Sequence, residues 1–193
     1  MHGRTIGEKE DVYALLERIK NDDREAFREL VSLYQKRIFL LAFSFSHNRE
    51  DAMDIVQETF MRLHQKIHTF REGENFKSWI FRVAKNLCID HYRKNHSKGK
   101  EWGSEQSLEE MNLPCKNGDN SHQALDLKMI FSRCLEKLAE RQRMVFVLKH
   151  YNQLKYREIA QVLNISPGTV KSLHFKAVQN LRGLVSPYLG RVQ

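Results

Sequence analysis

The sequence predicts an all-α fold in which two helical domains are joined by a flexible linker. Only 3 of the 193 residues are proline and 9 are glycine, and long stretches are rich in the good helix formers Leu, Glu, Lys, Arg and Gln. Apolar residues recur at helical spacing through most of the chain, but this pattern is lost from Asn95 to Ser121. Because long unpatterned stretches usually separate domains, we place the domains at residues 1–95 and 123–193 and the linker at 96–122.

The first domain is predicted to contain four helices. The first begins at Asp11, and Asp22 with Glu25 three residues later resembles a capping box that starts the second. The third is predicted from Arg49 or Glu50 to Ile67, and the fourth from Phe76 to about Lys94. The predicted core-facing residues of the second helix are Phe27, Leu30, Val31, Tyr34, Ile38, Leu41 and Phe45. Those of the third helix are Ala52, Val56, Phe60, Leu63 and Ile67. Those of the fourth helix are Phe76, Ile80, Val83 and Leu87.

The second domain is predicted to carry a helix-turn-helix. Ala160 is small where two helices must cross closely, and Asn164 tolerates the left-handed backbone of a tight turn. Ser166 before Pro167 is the N-cap and first-turn pair that starts another helix. Two amphipathic helices, at 127–138 and 141–151, are expected to support this motif, and the chain after Gly183 is expected to fray.

Composition favours a polyanionic partner and a reducing compartment. The formal net charge is +8, which suits nucleic acid without proving it. Cys88, Cys115 and Cys134 are too few and too unevenly spaced for a disulfide framework, which is typical of a cytoplasmic protein. A metal or redox role stays open for Cys115, with His122 downstream, but we expect no cofactor and no metal. With no apolar stretch long enough to cross a bilayer, we expect no membrane insertion.

The third helix has an acidic face opposite its apolar stripe, formed by Asp51, Asp54, Gln57, Glu58, Thr59 and Arg62. Such a face is a poor DNA surface but a suitable dock for a basic protein partner. On residue chemistry alone a solvated surface is the simpler interpretation. A catalytic or metal-binding role is disfavoured because no histidine follows these acids at the third or fourth position.

Two other helix faces suit nucleic acid. The fourth helix carries an aromatic residue, an amide and cations on one side, which would stack on unpaired bases and track phosphates; Trp79 in the core with solvated cations is the alternative. The last helix carries polar residues and Phe175 away from its apolar side, as a helix in a DNA major groove does. Its alternative is a helical hairpin with a solvated lysine face.

Four motifs, in this order, are similar to bacterial sigma factors of the sigma-70 family. They lie at residues 50–60, 76–86, 138–143 and 156–172. The chain most resembles the compact extracytoplasmic-function (ECF, group IV) sigma factors, which keep only sigma domains 2 and 4, and the resemblance extends from about Asn21 to Leu184. It implies a protein that binds RNA polymerase core, recognises the −35 and −10 promoter elements and promotes strand opening without catalysis.

The resemblance also implies site residues and partners. Polymerase contacts fall on Asp51, Asp54, Gln57, Glu58, Phe60 and Arg62. Contacts with the −10 element fall on Phe76, Lys77, Trp79, Arg82, Asn86, Arg93 and Lys94, and those with the −35 element on Pro167, Thr169, Lys171, Ser172, Phe175 and Lys176. The implied partners are the clamp helices and flap of core polymerase, duplex and single-stranded promoter DNA, and an anti-sigma factor.

Three residues depart from the family pattern. Ala139 replaces a usual proline, Leu173 a usual arginine, and His174 a usual apolar residue. Since Leu173 and His174 lie three and four residues beyond Val170, we expect Leu173 to take the apolar role that His174 cannot.

Two other functions remain compatible with the residues. One is a two-domain helix-turn-helix regulator that binds DNA without polymerase core. The other is a sigma-mimicking adaptor that binds an anti-sigma protein and does not touch DNA.

Overall fold

The computed structural model describes residues 7–70, 73–96 and 130–189, and these residues form helices with no β-strand among them. The all-α prediction is confirmed. The helices are α1 (Gly7–Lys20), α2 (Arg24–Ser46), α3 (Arg49–Lys66), a short 3-10 helix (Ile67–Thr69), α4 (Phe76–His96), α5 (130–136), α6 (Glu140–His150), α7 (Tyr156–Leu163) and α8 (Pro167–Leu189). The predicted linker beyond His96, including Cys115, lies outside the described residues. No helix in the described ranges is long and apolar enough to cross a membrane.

The start of α2 corrects the predicted capping box. Asp23, not Asp22, is the N-cap, because its side chain accepts hydrogen bonds from the backbone N–H groups of Glu25 (2.9 Å) and Ala26 (3.1 Å). Asp22 instead has a left-handed backbone with φ of 61°. The hydrogen bond from Ala26, followed by that from Arg18, holds the pKa of Asp23 below its usual value.

The break between α2 and α3 follows from backbone geometry at two polar residues. His47 is left-handed, with φ of 49°, and ends α2. Asn48 is extended, and its side-chain oxygen accepts a hydrogen bond from the N–H of Asp51 at 3.0 Å. The predicted break at residues 46–48 is therefore confirmed.

The predicted fraying after Gly183 is wrong, since α8 continues to Leu189. Apolar residues of its last turns explain the extension, because Leu184, Val185 and Tyr188 pack against a small core. This core is built from Cys134, Leu135, Leu138, Phe146, Ala177 and Leu181.

The main hydrophobic core runs through both domains. Buried residues of α1 to α4, such as Leu30 and Ile80, belong to the same cluster as Leu148, Leu154 and Ile159 of the second domain. Helix α7 packs against α4, and α6 packs against α2. The two domains are thus in direct contact, which the sequence did not predict.

Candidate polymerase and promoter interfaces

Most of the acidic face of α3 lies at the protein surface, but Thr59, which was expected there, is fully buried. Asp54 and Gln57 are exposed, while Glu58 accepts a hydrogen bond from Arg62 Nε at 2.9 Å. Asp51 Oδ1 lies 3.8 Å from His91 Nε2 on α4. Between the two helices is an open groove of about 420 Å³, lined among others by Asp54, Glu58, Met61, Leu87, Asp90 and Lys94. Because this face is acidic, it can bind a partner that has basic side chains.

Two methionines beside this acidic face were missed by the sequence analysis. Met53 and Met61 are 54% and 50% exposed, which is unusual for large apolar side chains. With Gln57 they recur every fourth residue and therefore form one ridge along α3. Flexible, polarisable methionine side chains are common at surfaces that bind other proteins. The four-residue spacing of Met53, Gln57 and Met61 in the sequence could have indicated this ridge.

Phe60 is not part of the exposed acidic face. Its side chain is 7% exposed, and its ring packs edge-on against Phe27 at a centroid distance of 6.4 Å. Phe60 therefore offers a partner little surface in this conformation, and its contact with polymerase stays a prediction. Phe60 supports α3 from inside the core.

Trp79 lies at the edge of an aromatic cluster near the start of α4. Its ring is 5.9 Å from that of Phe70 and 6.0 Å from that of Phe76, and its side chain is half-buried. Phe76 is only 2% exposed and also packs against Tyr34. Phe76 therefore supports Trp79 in this conformation, and its contact with a base stays a prediction.

The remaining polar residues of this α4 face point outward. Arg82, Asn86 and Arg93 are exposed along about three turns of the helix, whereas the exposed Lys94 lines the groove between α3 and α4. Positive side chains at this spacing can follow a phosphate backbone, and the amide can read a base edge. The structure therefore brings most of the predicted −10 residues onto one accessible surface.

The N-terminal end of α4 is bonded to the second domain. Asn75 caps α4 by accepting the N–H of Ser78 at 3.0 Å, and its Nδ2 donates to Glu158 Oε1 at 2.9 Å. Lys77 Nζ donates to the backbone oxygen of Gln153 at 3.0 Å. A predicted DNA-contacting lysine is thus engaged by the helix-turn-helix domain.

The helix-turn-helix has the predicted geometry. Asn164 is left-handed, with φ of 54°, and Ser166 Oγ accepts the N–H of Thr169 at 3.0 Å to cap α8. The predicted −35 residues Pro167, Thr169, Lys171, Ser172, Phe175 and Lys176 are all exposed. Phe175 is 64% exposed. A helix with an aromatic residue and two lysines on one open side can enter a DNA major groove.

The two unusual residues of α8 point toward the protein. Leu173 packs against the main core, as expected for the apolar role. His174 forms polar contacts with Tyr156 and His150. Neither side chain belongs to the open recognition surface.

The comparison with known sequences follows this division into two domains. The Sigma-70 region 2 family model matches residues 30–98, and the Sigma-70 region 4 model matches residues 128–181. The ECF RNA polymerase sigma factor SigW of Bacillus subtilis is 30% identical over 173 residues, which cover 86% of this chain and 92% of SigW. This chain belongs to the ECF sigma factor family. The ECF RNA polymerase sigma-E factor of Escherichia coli K12 is 29% identical over 187 residues, or 92% of this chain and 95% of that protein.

Two solved structures share the fold. The sigma factor RpoE in complex with the anti-sigma factor NepR, from Bartonella quintana, is 25% identical with a TM-score of 0.66, covering 83% of this chain and 96% of RpoE. CnrH in complex with the cytosolic domain of CnrY is 22% identical with a TM-score of 0.67, covering 92% of this chain and 98% of the other. This ECF protein is an RNA polymerase sigma factor, and sigma factors are transcription initiation factors.

Proposed function

We propose that this group IV sigma factor binds core polymerase through the acidic face of α3. Its charge distribution is the observation that carries the proposal. In a chain with a net charge of +8, exposed Asp54 and half-exposed Glu58 stand on α3, whereas lysines occupy the exposed face of α8. An acidic patch of this kind attracts basic partners and repels DNA, so protein and DNA are directed to different helices. The basic partner is the polymerase clamp.

Promoter recognition is divided between α8 and α4. Lys171 and Lys176 contact phosphates of the −35 duplex, and Ser172 with Phe175 contacts its base edges. On α4, Trp79 stacks on an unpaired base of the −10 element while Arg82 and Asn86 contact the strand. Each stacked base contributes on the order of 1–3 kcal/mol, which offsets part of the melting cost. Strand opening then needs no catalysis by the sigma factor.

The contact between the domains must open before the protein can work in this way. In the closed arrangement Lys77 is bonded to Gln153 and Asn75 to Glu158. Binding to polymerase at separate sites pulls the domains apart and frees these side chains. Two weak DNA-binding modules held on one polymerase then gain affinity through their high effective concentration.

The second proposed protein partner is an anti-sigma factor. The proposed location of the protein is the cytoplasm. RpoE from Bartonella quintana, 25% identical to this chain, was solved in complex with the anti-sigma factor NepR. In this chain, the exposed Met53 and Met61 beside the acidic face give such a partner an apolar contact that polymerase would otherwise use. Occupation of this ridge would exclude polymerase.

Reversing one charge on α3 tests the proposal. Glu58→Lys places a cation where the basic partner binds, and we expect binding of purified core polymerase to fall by about tenfold or more, because like charges across an interface cost several kcal/mol. Folding should be little affected, since the partly exposed Glu58–Arg62 pair contributes about 1 kcal/mol at most.

Glu25→Lys is the matched control. Glu25 is exposed, lies in the first turn of α2 and also pairs with an arginine of its own helix. Pull-down of core polymerase should fall for Glu58→Lys and not for Glu25→Lys, and run-off transcription from a promoter library should fall in parallel. Equal pull-down by Glu58→Lys and the unmodified chain would exclude α3 as the docking face.

A further inference from the structure

Tyr13 of α1 contacts the segment that leads into α4. Its hydroxyl donates a hydrogen bond to the backbone oxygen of Glu74 at 2.8 Å, across 61 residues of sequence. The Tyr13 side chain is 37% exposed, so the ring stays at the protein surface while its hydroxyl reaches the segment. Residue 13 lies before the stretch 30–98 that the Sigma-70 region 2 model matches, and none of the polymerase or promoter contacts described above includes it.

The contacted segment, residues 73–75, fixes where α4 begins, and we call it the entry segment. Gly73 has a left-handed backbone with φ of 91°, a conformation that residues with a Cβ rarely adopt. Asn75 ends the segment as the cap of α4, and its backbone oxygen accepts the N–H of Trp79 at 3.0 Å. Because the first turn of α4 is bonded to Asn75, a displacement of the entry segment moves Trp79 with it.

Trp79 depends on this backbone because packing holds only part of its ring. The ring is half-buried at the edge of the cluster with Phe70 and Phe76. A ring that stacks on an unpaired base must leave one face open and still be fixed in place, because ordering a mobile side chain on binding costs free energy. The backbone at the start of α4 therefore has to supply part of the order.

In the described part of the chain, two side-chain hydrogen bonds from other helices reach the entry segment. Glu158 of the second domain accepts the Asn75 Nδ2 group at 2.9 Å, and Tyr13 of the first domain donates to Glu74. Separation of the two domains on polymerase would break the first of these bonds. The second lies within the first domain and survives the separation.

We propose that Tyr13 is a positioning residue for promoter opening, which keeps Trp79 in place to stack on an unpaired base once the domains have separated. The inference rests on the proposed role of Trp79 at the −10 element. Without the hydroxyl, the entry segment samples other positions, and opening falls with the fraction of molecules in which Trp79 is correctly placed. The net contribution of one neutral, exposed hydrogen bond corresponds to about 2- to 10-fold in that fraction.

Three variants separate this hydrogen bond from the rest of its surroundings. Tyr13→Phe removes the hydroxyl and keeps the ring. Glu74→Ala removes an exposed side chain but leaves the carbonyl that Tyr13 contacts. Lys20→Ala removes a hydrogen bond of 2.8 Å to Glu17 within α1, which does not reach the entry segment.

Promoter opening by reconstituted holoenzyme tests the inference, on a promoter that the run-off library returns. Permanganate reactivity of unpaired thymines measures opening, and binding of core polymerase and of the −35 duplex is measured alongside. In Tyr13→Phe we expect the ratio of open to closed complexes to fall by about 2- to 10-fold, with core and −35 binding unchanged. Glu74→Ala and Lys20→Ala should open the promoter as the parent does. Loss of the fold would instead lower all three measurements together.

Trp79 fluorescence tests the positioning directly. The chain has two tryptophans, and Trp102→Phe leaves Trp79 as the only one. In an Asn75→Asp background, which keeps the cap of α4 and loses the bond to the second domain, Tyr13→Phe should raise acrylamide quenching of Trp79, because its ring becomes more accessible. Lys20→Ala in the same background should leave the quenching unchanged.

The inference is overturned if Tyr13→Phe opens the promoter as the parent does, loses core and −35 binding in parallel, or leaves Trp79 quenching unchanged. Trp79→Leu separates such a failure from failure of the proposed function. If Trp79→Leu opens the promoter as the parent does, the role of Trp79 in opening and the inference are both overturned. If Trp79→Leu impairs opening and Tyr13→Phe does not, only the positioning role of Tyr13 is overturned.

Discussion

Substitution of Asn75 by aspartate tests the closed arrangement of the two domains. The aspartate keeps the oxygen that accepts the Ser78 N–H and caps α4, and aspartate caps helices as well as asparagine does. It loses the Nδ2 group that donates to Glu158 Oε1 at 2.9 Å and places a carboxylate there instead. The contact between the domains becomes repulsive while α4 itself is left capped.

The expected magnitude follows from two contributions. Loss of a hydrogen bond to a charged acceptor costs about 1.5–3 kcal/mol. Two like charges about 4 Å apart add about 1 kcal/mol in water and about 4 kcal/mol at a partly shielded protein surface. Since both side chains are only half-buried, the lower Coulomb value applies, and the two contributions add to about 2.5–4 kcal/mol. The closed-to-open equilibrium should therefore shift by about 10²–10³-fold toward the open form.

Small-angle X-ray scattering measures this shift as an increased radius of gyration of the free protein. The double variant Asn75→Asp/Glu158→Gln provides the rescue, because the new amide nitrogen can donate to the new carboxylate. The amide oxygen still accepts the Lys155 N–H that Glu158 accepts now, as glutamine does in capping boxes. A single variant as compact as the unmodified protein, or a double variant as expanded as the single one, would refute the reasoning.

Three further predictions concern folding and DNA binding. Burial, and then the charge of Arg143, lower the pKa of His47 from 6.5 to about 4. Because the pKa of His47 is lower in the folded than in the unfolded state, stability should be retained above pH 6.5 and fall by up to about 3 kcal/mol as the pH drops toward 4. The variant His47→Asn, whose asparagine tolerates the left-handed backbone, should remove most of this loss. Denaturant titrations at several pH values measure it. Ser166→Ala removes the cap of α8 and should cost about 1 kcal/mol of stability, seen as a lower melting temperature. Lys171→Ala and Lys176→Ala should each weaken −35 duplex binding and reduce the salt dependence of log affinity by about one unit, and an unchanged salt slope would place that lysine away from phosphate.

Local features of the fold could be predicted from the sequence because they depend on neighbouring residues. Apolar spacing located the helices, since a buried helical face needs a residue every three or four positions. Asn164 and Ser166 located the turn and the next helix start, because their backbone and capping preferences act within a few residues. Leu173 was assigned its inward position for the same reason, as it shares a helix face with Val170.

Features that depend on tertiary contact could not be predicted in this way. Asn75 and Glu158 are 83 residues apart, and nothing local indicates that they meet. Asp22 and Asp23 have the same side chain, so only the left-handed backbone at the first shows that the second is the cap. The sequence assigned Phe60 both to the core and to the polymerase contact. Only the structure shows that its side chain is buried in this conformation.

Buried polar groups without a hydrogen-bond partner lie on segments of the second domain that contact the first. Arg143 lies on α6, which packs against α2, and Asn152 lies in the turn beside Gln153, the acceptor of Lys77. Among the described residues, Arg143 Nε and both side-chain polar atoms of Asn152 are buried without a hydrogen-bond partner. Each such group costs about 1–3 kcal/mol until water reaches it. If opening the domains brings water to these groups, the closed form is less stable than its apolar contacts alone suggest. A polymerase that binds each domain separately then has less free energy to supply.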